Sequence, residues 1–364
     1  MRRVSILVIA LFSCLWAADA SDWQLYKIGG RDYVSLDNLA EFYNFGAVQR
    51  VDSEFTLRTT GKSLRGRAGS VEFLINGLKF NLSYPIVEHS GQLCISRMDL
   101  TKLVEPVLRP SKIRGADNVD TVVLDAGHGG HDNGAVSPFG FEKQFTFDVV
   151  ARARQLLIQA GFKVVLTRSS DTFVALEERV RIANQFRNAL FVSVHFNSGG
   201  SGTGLETYTL APRGVPSMMA DGPRISDLDA CAGHAFDPQN MALATAMHAA
   251  LVVKSRMYDR GIKRARFVVI RDISIPGVLI EGGFQSNSHD ARLIATPAYR
   301  QTMAGCILQA VQNYRLAVGT EIGNVAARLS VQPRVQVPTA NNPDAGAPEA
   351  PQPNVVTPTA RGQN

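Results

Sequence analysis

Cysteine is scarce in this chain, with four in 364 residues. Cys14 lies in an apolar N-terminal stretch, which leaves Cys94, Cys231 and Cys306 widely spaced and odd in number. Such a set does not form the disulfide framework of a small secreted domain, and the lack of any CxxC pair argues against a thiolate metal site. We expect Cys306, in an apolar helical stretch, to be a core residue.

Charge is also sparse. Charged residues make up 19% of the chain, and 38 Lys and Arg against 32 Asp and Glu give a formal net charge of +6. The basic residues are scattered singly, so the pattern indicates solubilising charge rather than a nucleic-acid partner. With 45% apolar residues the chain can bury a sizeable core, and its length fits two domains of roughly 100 to 200 residues with a tail. We expect a monomer.

Long apolar runs are missing except at the N-terminus. Arg2 and Arg3 precede an apolar run over residues 4–16, and small residues at 18–20 fit a cleavage site, so residues 1–20 read as an export signal. The run is shorter than the roughly 20 residues that span a bilayer. We therefore predict no stable membrane insertion after signal removal, and a location in the periplasm or cell envelope. Lipid anchoring at Cys14 is the alternative.

Residues 21–112 predict a small α+β module. Short strands are indicated at residues 23–28, 54–59, 71–75 and 79–84. Residues 30–39 and 91–100 form a repeat, in which each copy predicts a short strand ending at a serine, Ser35 or Ser96, that caps a short helix. The module resembles the copper amine oxidase N-terminal-like domain. That resemblance implies no copper here, because His89 is its only histidine, and it favours wall binding or packing over catalysis.

Residues 117–317 alternate between apolar strands and amphipathic helices. Strands are indicated at residues 119–124, 162–167, 190–195, 205–210, 267–270 and 278–281, and helices at 142–160, 175–187, 239–257 and 297–314. This order predicts an α/β fold with a mostly parallel or mixed sheet and helices on both faces. Residues 318–364 are rich in proline towards their end and predict a disordered tail.

Four polar side chains stand where strands or helices meet a crevice at the carboxyl edge of this sheet. His128 lies in a glycine-rich loop after the first strand, His195 and Glu281 each end an apolar strand, and Glu142 opens a helix. Each alone has an ordinary explanation, such as a helix-dipole contact for Glu142. Glu281 is harder to explain, because a carboxylate in apolar surroundings is costly unless it is paired, protonated or near a cation.

Together the four groups predict a catalytic zinc site. Two imidazoles and one carboxylate leave one position of a tetrahedral Zn²⁺ open for water. His128, Glu142 and His195 fit the ligand roles, and a free carboxylate, Glu281, fits the general base that moves a proton from water to the leaving nitrogen.

The same residues carry a resemblance to the zinc-dependent N-acetylmuramoyl-L-alanine amidases of the Amidase 3 type. The matching motifs, in order, include LDAGHGGHDNGA at 124–135, Glu142 with Lys143, SVHFNS at 193–198, GLETY at 204–208 and VLIEGGFQSN at 278–287. The resemblance implies Zn²⁺ as cofactor and peptidoglycan as substrate, cleaved between N-acetylmuramic acid and the L-alanine of the stem peptide. It also implies zinc binding by the first three of the four residues and catalysis by Glu281.

Other residues have lesser expected roles. Asp132 is expected to orient His128, and Asn197 to bind substrate or steady its loop. We expect Arg168, Asp171 and Arg179 to form loop and helix-start ion pairs rather than substrate contacts. Some family members carry a helix that blocks the zinc at the position of residues 212–238, but here four prolines favour a long loop. We hypothesise that this insert shapes the substrate groove, with His234 as a possible contributor.

Two other functions remain open at this point. Another zinc peptidase could cut within the stem peptide, and a non-catalytic wall-binding protein could use the N-terminal module and tail. The retention of all four polar groups speaks against the non-catalytic alternative.

Overall fold

A computed structural model describes residues 23–116 and 119–319 of the chain. The predicted export signal, Cys14 and the tail from residue 320 onward lie outside this part. Within it, no helix has both the length and the apolar character that crossing a membrane requires. Cys94, Cys231 and Cys306 are free thiols, and Cys306 is fully buried, as expected for a core residue.

The N-terminal part is built from nine strands and short helical segments. The strands are β1 Leu25–Ile28, β2 Arg31–Ser35, β3 Gln49–Val51, β4 Glu54–Thr59, β5 Lys62–Arg67, β6 Glu72–Ile75, β7 Leu78–Asn81, β8 Val87–His89 and β9 Gln92–Ser96. The helices are α1 Leu36–Phe42, α2 Arg97–Asp99 and α3 Glu105–Leu108, with a π-helical turn at Leu100–Val104 and a 3₁₀ turn at Pro110–Lys112.

The predicted sequence repeat is confirmed as a structural repeat. Ser35 ends β2 and accepts a hydrogen bond from the Asn38 backbone at the start of α1, and Ser96 does the same for the Asp99 backbone in α2. The two strands pair antiparallel, with Val34 opposite Ile95, in a small sheet of order β1-β2-β9-β8. The serine therefore ends the strand and starts the helix in both copies, because its side chain satisfies an otherwise unpaired helical N–H.

The C-terminal part alternates strands and helices. The strands are β10 Thr121–Ala126, β11 Val136–Ser137, β12 Gly140–Phe141, β13 Lys163–Leu166, β14 Ala189–Asn197, β15 Leu205–Leu210, β16 Asp259–Ala265 and β17 Gly277–Phe284. The helices are α4 Glu142–Gln159, α5 Leu176–Ala183, α6 Asp237–Ser255, α7 Val268–Arg271, α8 Ser288–Ile294 and α9 Pro297–Val318. Two 3₁₀ turns, Ile225–Leu228 and Ala232–Phe236, lie in the 212–238 insert, which is otherwise irregular, as predicted.

The predicted α/β fold with a mixed sheet is confirmed. In the order β13-β10-β14-β17-β15-β16, neighbouring strands are parallel except for the β17–β15 pair. Helices α4, α6 and α9 cover one face, and α5 and α7 pack on part of the other. One strand prediction was wrong, because residues 268–270 fall in helix α7 and Phe267 is its N-cap. Among the long strands of this part, β16 was not predicted, because its run of charges hides its strand character.

The sheet does not stop at β16. Ile262 of β16 pairs with Phe80 of β7, and the sheet continues through β6, β5 and β4 to β3, giving eleven strands in the described residues. Arg264 of β16 is fully buried at this junction, where its guanidinium donates to the Ser83 hydroxyl and the Lys102 carbonyl. The N-terminal and C-terminal strands thus share one sheet and one core, a continuity that the sequence did not indicate.

Candidate metal centre

Three parallel strands bring the candidate residues to one edge of the sheet. Strands β10, β14 and β17 run in the same direction, so their carboxyl ends lie together. His128 follows β10, and His195 near the end of β14 is the direct partner of Glu281 in β17. Glu142 is the first residue of α4 and reaches the same edge.

The side chains of His128, Glu142 and His195 converge on one point. Each offers one ligand atom, and these atoms lie within 4.8 Å of one another. Oε1 of Glu142 is 3.1 Å from Nε2 of His128 and 3.0 Å from Nδ1 of His195. Burial alone would raise the pKa of Glu142, but its hydrogen bonds with the two histidines outweigh burial and lower that pKa. Glu142 is therefore an anion at neutral pH.

Glycines make room for this cluster. A Cβ atom at Gly127 would lie 2.3 Å from Cε1 of His195, and one at Gly134 would lie 2.6 Å from Cδ2 of His128. His128 itself has φ +62°, a left-handed conformation that few non-glycine residues adopt. The glycine-rich loop thus lets the backbone pass close enough for both imidazoles to face Glu142.

Asp132 contacts His128, the residue it is expected to orient. Its Oδ2 lies 2.8 Å from Nδ1 of His128, and its Oδ1 accepts a hydrogen bond from the Gly134 backbone at 3.0 Å. A carboxylate on one imidazole nitrogen leaves the other nitrogen free to bind a metal and fixes the orientation of the ring. The backbone N–H of Ala135 donates to Oε2 of Glu142 at 2.8 Å and so fixes the orientation of that carboxylate.

Two buried arginines hold the loop that carries His128, Arg179 partly through the expected ion pair and Arg168 through backbone carbonyls instead. Arg168 donates to the carbonyls of Ala126 and Gly127, and Arg179 donates to the carbonyl of His128 at 2.8 Å. Arg179 also forms a buried ion pair with Asp125 at 2.6 Å. Asp171, predicted with them, accepts from the backbone N–H of Gly130 at 2.8 Å and from the Lys143 ammonium at 2.9 Å.

Glu281, the strand partner of His195, is not among the three converging residues. Its Oε2 is buried and has no hydrogen-bond partner in the described part of the chain. Burial raises the pKa of Glu281 well above its usual value, and the carboxylates of Glu142 and Glu206 raise it further. A buried carboxylate oxygen without a partner is costly unless a cation or a proton lies beside it, so Oε2 of Glu281 is suited to exchange a proton.

The chain is similar in sequence to known amidases. Residues 122–313 match the Amidase 3 family, described as N-acetylmuramoyl-L-alanine amidase. The chain belongs to this amidase family. It is 31% identical to the N-acetylmuramoyl-L-alanine amidase AmiA of Escherichia coli over 244 residues, which cover 60% of this chain and 84% of AmiA. It is 36% identical to the uncharacterized protein YqiI of Bacillus subtilis over 196 residues, 53% of this chain and 84% of YqiI.

A solved amidase structure from Clostridium difficile 630 aligns with a TM-score of 0.45 and 28% identity, covering 54% of this chain and 97% of that one. The family match confirms the enzyme class predicted from the sequence, an N-acetylmuramoyl-L-alanine amidase.

Glu206 of this amidase was not among the candidate residues predicted from the sequence. Glu206 of β15 is buried and lies directly opposite Glu281. Lys263 and Tyr208 each approach its carboxylate at 2.6 Å, and Arg260 also contacts it. Burial alone would raise the pKa of Glu206, but these donors outweigh burial and lower it. The available signal was the one used for Glu281, a carboxylate within an apolar strand.

Asn197 of the amidase is tied into the same network. Its side-chain amide donates to Glu206 at 3.2 Å, and its backbone carbonyl accepts from the Gln285 backbone N–H at 2.7 Å. These contacts fit the loop-steadying alternative for Asn197 better than a free substrate-binding side chain.

His234, suggested as a contributor to the groove, lies at the wrong edge of the sheet. Its Nε2 is 3.1 Å from the carbonyl of Ala211, which directly follows β15. Because β15 runs antiparallel to β17, this end of β15 lies opposite the edge where Glu206 meets Glu281. Within the insert, the sulfur of Met219 lies 3.3 Å from the hydroxyl of Tyr208, which contacts Glu206. A groove-shaping role for the insert stays a prediction.

Proposed function

We propose that this amidase hydrolyses the bond between N-acetylmuramic acid and the L-alanine of the stem peptide in peptidoglycan, with a zinc ion held by His128, Glu142 and His195. The observation that carries the proposal is the convergence of these three ligand atoms beside the unpartnered carboxylate of Glu281. Family membership supports the reaction and the substrate.

The residues fit a zinc ion on chemical grounds. Two imidazole nitrogens and one carboxylate oxygen form a donor set of catalytic zinc sites, which keep a further position open. Asp132 on His128 supplies the outer carboxylate typical of such sites. Glu281 is not among the three converging residues, which leaves it free to act as a base.

The roles of the chain's own groups follow from their positions. When bound, zinc supplies Lewis-acid chemistry, polarising a carbonyl oxygen and making water more acidic. Glu281 then accepts a proton from the attacking water on its unpartnered oxygen and delivers it to the leaving nitrogen of L-alanine. Its surroundings favour the acceptance of this proton, because burial and two neighbouring carboxylates raise the pKa of Glu281. Asn197, Lys263 and Arg260 hold Glu206 in place beside it.

The test combines metal analysis with one substitution. Purified full-length protein should contain about one zinc per chain and release dye from labelled peptidoglycan, and chelation should stop the release until zinc is restored. Glu281→Gln should retain zinc and lose turnover by at least about a hundredfold, whereas Glu177→Gln, at an exposed position of α5, should behave as wild type. Activity without any metal, or in Glu281→Gln, would refute the mechanism.

Mass spectrometry of the digests separates this reaction from stem-peptide cleavage by another zinc peptidase. The amidase frees the amino group of L-alanine and leaves intact glycan strands, whereas a peptidase leaves L-alanine attached to the sugar. We further propose that residues 1–20 direct export to the periplasm or cell envelope, that the mature enzyme acts as a monomer, and that it has no nucleic-acid partner. Fractionation of cells and light scattering of the purified protein test the first two points.

A further inference from the structure

The sheet face that carries Glu281 can be followed outward from the metal centre. Residues directly opposite each other in neighbouring strands project from the same face. Glu281 pairs with Glu206, and two residues further along β15, Tyr208 pairs with Lys263 of β16. Side chains two residues apart in a strand share a face, so Lys263 lies on the same side of the sheet as Glu281. Its ammonium, 2.6 Å from Glu206, agrees with this assignment.

The same face continues onto the N-terminal strands. Ile262 and Phe80 are paired and buried on the helix-covered face, so their neighbours Lys263 and Lys79 project from the opposite face. Lys79 pairs with Leu74 of β6, and Leu74 pairs with Arg65 of β5. An unbroken row of strands therefore connects the face beside Glu281 with the outer face of β7 to β4.

This outer face is open and carries unpaired basic side chains. On the other side of the same strands, Phe55 and Leu64 are completely buried in the core. Arg58, Arg65 and Arg67 project from the outer face and are exposed, and no ion pair involves them within the described residues. The exposed Glu54 lies opposite Arg67 on the same face, so Arg58 and Arg65 carry most of its free positive charge. A solvent-exposed row of unpaired guanidinium groups attracts anions, above all carboxylates, which match their geometry. We call these three residues the arginine row.

Tyr258 lies between the metal centre and the arginine row. It precedes β16, and its side chain is 46% exposed. The ammonium of Lys79 lies 5.4 Å from the centre of its ring. An exposed aromatic ring beside a cation offers an apolar contact surface partway along the path. Five strand spacings of about 4.8 Å separate Glu281 from Arg65, a path of roughly 24 Å, which matches about seven residues of extended peptide.

We propose that the arginine row and Tyr258 form a binding surface for the stem peptides of peptidoglycan, continuous with the active site. This inference rests on the proposed function and specifies which part of the substrate lies on which side of the metal centre. The stem peptides bear the carboxylates of the polymer, because the lactyl carboxyl groups are already consumed in amide bonds. Their charge complements the arginine row, whereas the sugar chain has no charge to match it.

Binding is measured separately from hydrolysis. All proteins carry Glu281→Gln in the full-length, zinc-loaded chain, so the substrate is not consumed and the result does not depend on which bond the enzyme cleaves. The ligand is purified peptidoglycan freed of phosphate-containing wall polymers, used in a pelleting assay at low and moderate salt. A second sample of the same peptidoglycan has its free carboxylates converted to amides.

The key variant is Arg58→Glu with Arg65→Glu, and its matched control is Arg154→Glu with Arg187→Glu, two exposed arginines away from this face. The arginine-row variant should bind native peptidoglycan about tenfold more weakly than the control, with the difference shrinking as salt increases. The protein that carries Glu281→Gln alone should bind amidated peptidoglycan as weakly as the arginine-row variant binds native peptidoglycan. Arg58→Gln with Arg65→Gln should show a smaller loss in the same direction, which provides a second reading if charge reversal impairs folding.

Several outcomes would overturn the proposal. Equal binding by the arginine-row variant and the protein that carries Glu281→Gln alone would do so, as would an equal loss in the control pair, which would indicate a general effect of net charge. Insensitivity to amidation would show that carboxylates are not the ligand. A difference that appears only with walls retaining their phosphate polymers would assign the surface to those polymers instead. If the proposed function were wrong, the protein with Glu281 intact would not release L-alanine peptides from peptidoglycan. The binding results would stand, because they are measured without hydrolysis.

Discussion

Gly127 lies so close to the ring of His195 that one added methyl group should have a strong effect on the metal centre. A Cβ atom at Gly127 would lie 2.3 Å from Cε1 and 2.6 Å from both ring nitrogens of His195. Ordinary contact between carbon atoms requires about 3.5 Å, so the ring would have to retreat by about 1 Å. The backbone of Gly127 is not left-handed, so Gly127→Ala disturbs the site through the methyl group alone.

A shift of this size is large for a metal site. Ligand distances must hold to within about 0.2 Å, and misplacing a reacting group by about 1 Å can cost about a hundredfold in rate. We therefore expect Gly127→Ala to lose at least about a hundredfold in both zinc affinity and hydrolysis. The fold should persist, with a loss of about 1 to 3 kcal/mol in the free energy of unfolding from overpacking.

Zinc titration against a chelator, dye release from peptidoglycan and denaturant unfolding measure the three effects. Gly305→Ala is the matched control, because a Cβ there meets no atom within 4 Å and the residue lies inside α9. That change should leave activity intact and stabilise the chain by about 0.5 to 1 kcal/mol, as expected for alanine in place of glycine in a helix. Wild-type zinc affinity and activity in Gly127→Ala would refute the reasoning.

Three further predictions follow from the surroundings of the site. Asp132→Asn weakens the support of His128 and should lower zinc affinity by about 10- to 100-fold in chelator competition, and unchanged affinity would contradict that role. Arg179→Ala leaves Asp125 as a buried, unpaired charge and should lower the free energy of unfolding by about 3 to 5 kcal/mol in urea, whereas a loss below about 1 kcal/mol would speak against it. Burial would raise the pKa of Asp125, but Arg179 and two hydroxyl donors outweigh it and lower the pKa, so its stabilisation is present above about pH 4 and is lost as the pH falls further. The double variant Asp125→Asn, Arg179→Met should lack this acid-dependent part in unfolding measured from pH 5 to pH 2, and an unaltered pH profile would count against it.

The sequence drew attention to the edge of the sheet that carries the proposed site because residues there break local patterns. A glycine-rich loop after an apolar strand and a carboxylate at the end of another are unusual on their own, and they pointed to His128 and Glu281 before any geometry was known. Asp132 followed from the same loop. In each case the signal lies within a few residues of sequence.

What the sequence could not show depends on contacts between distant segments. The sequence of β16 looks too polar for a buried strand, because its charged residues find partners in distant segments that no local pattern reveals. Lys263 binds Glu206, and Arg264 is buried against the N-terminal part. The pairing of β16 with β7 has the same origin, since a single register contact joins residues about 180 positions apart. The misplaced strand at residues 267–270 is apolar because it packs as helix α7 on the sheet.

The junction between β16 and β7 also bears on how this enzyme could be shortened or recombined. In a chain beginning at residue 119, β16 would become an exposed edge strand with unpaired backbone donors and acceptors. The Arg264 guanidinium would also lose its hydrogen bond to Ser83 and its burial. An exposed edge strand can pair with a strand of another molecule unless charged side chains prevent it. Strand β16 carries arginines and a lysine, which oppose such pairing. We therefore expect the shortened protein to lose stability without forming oligomers through this edge.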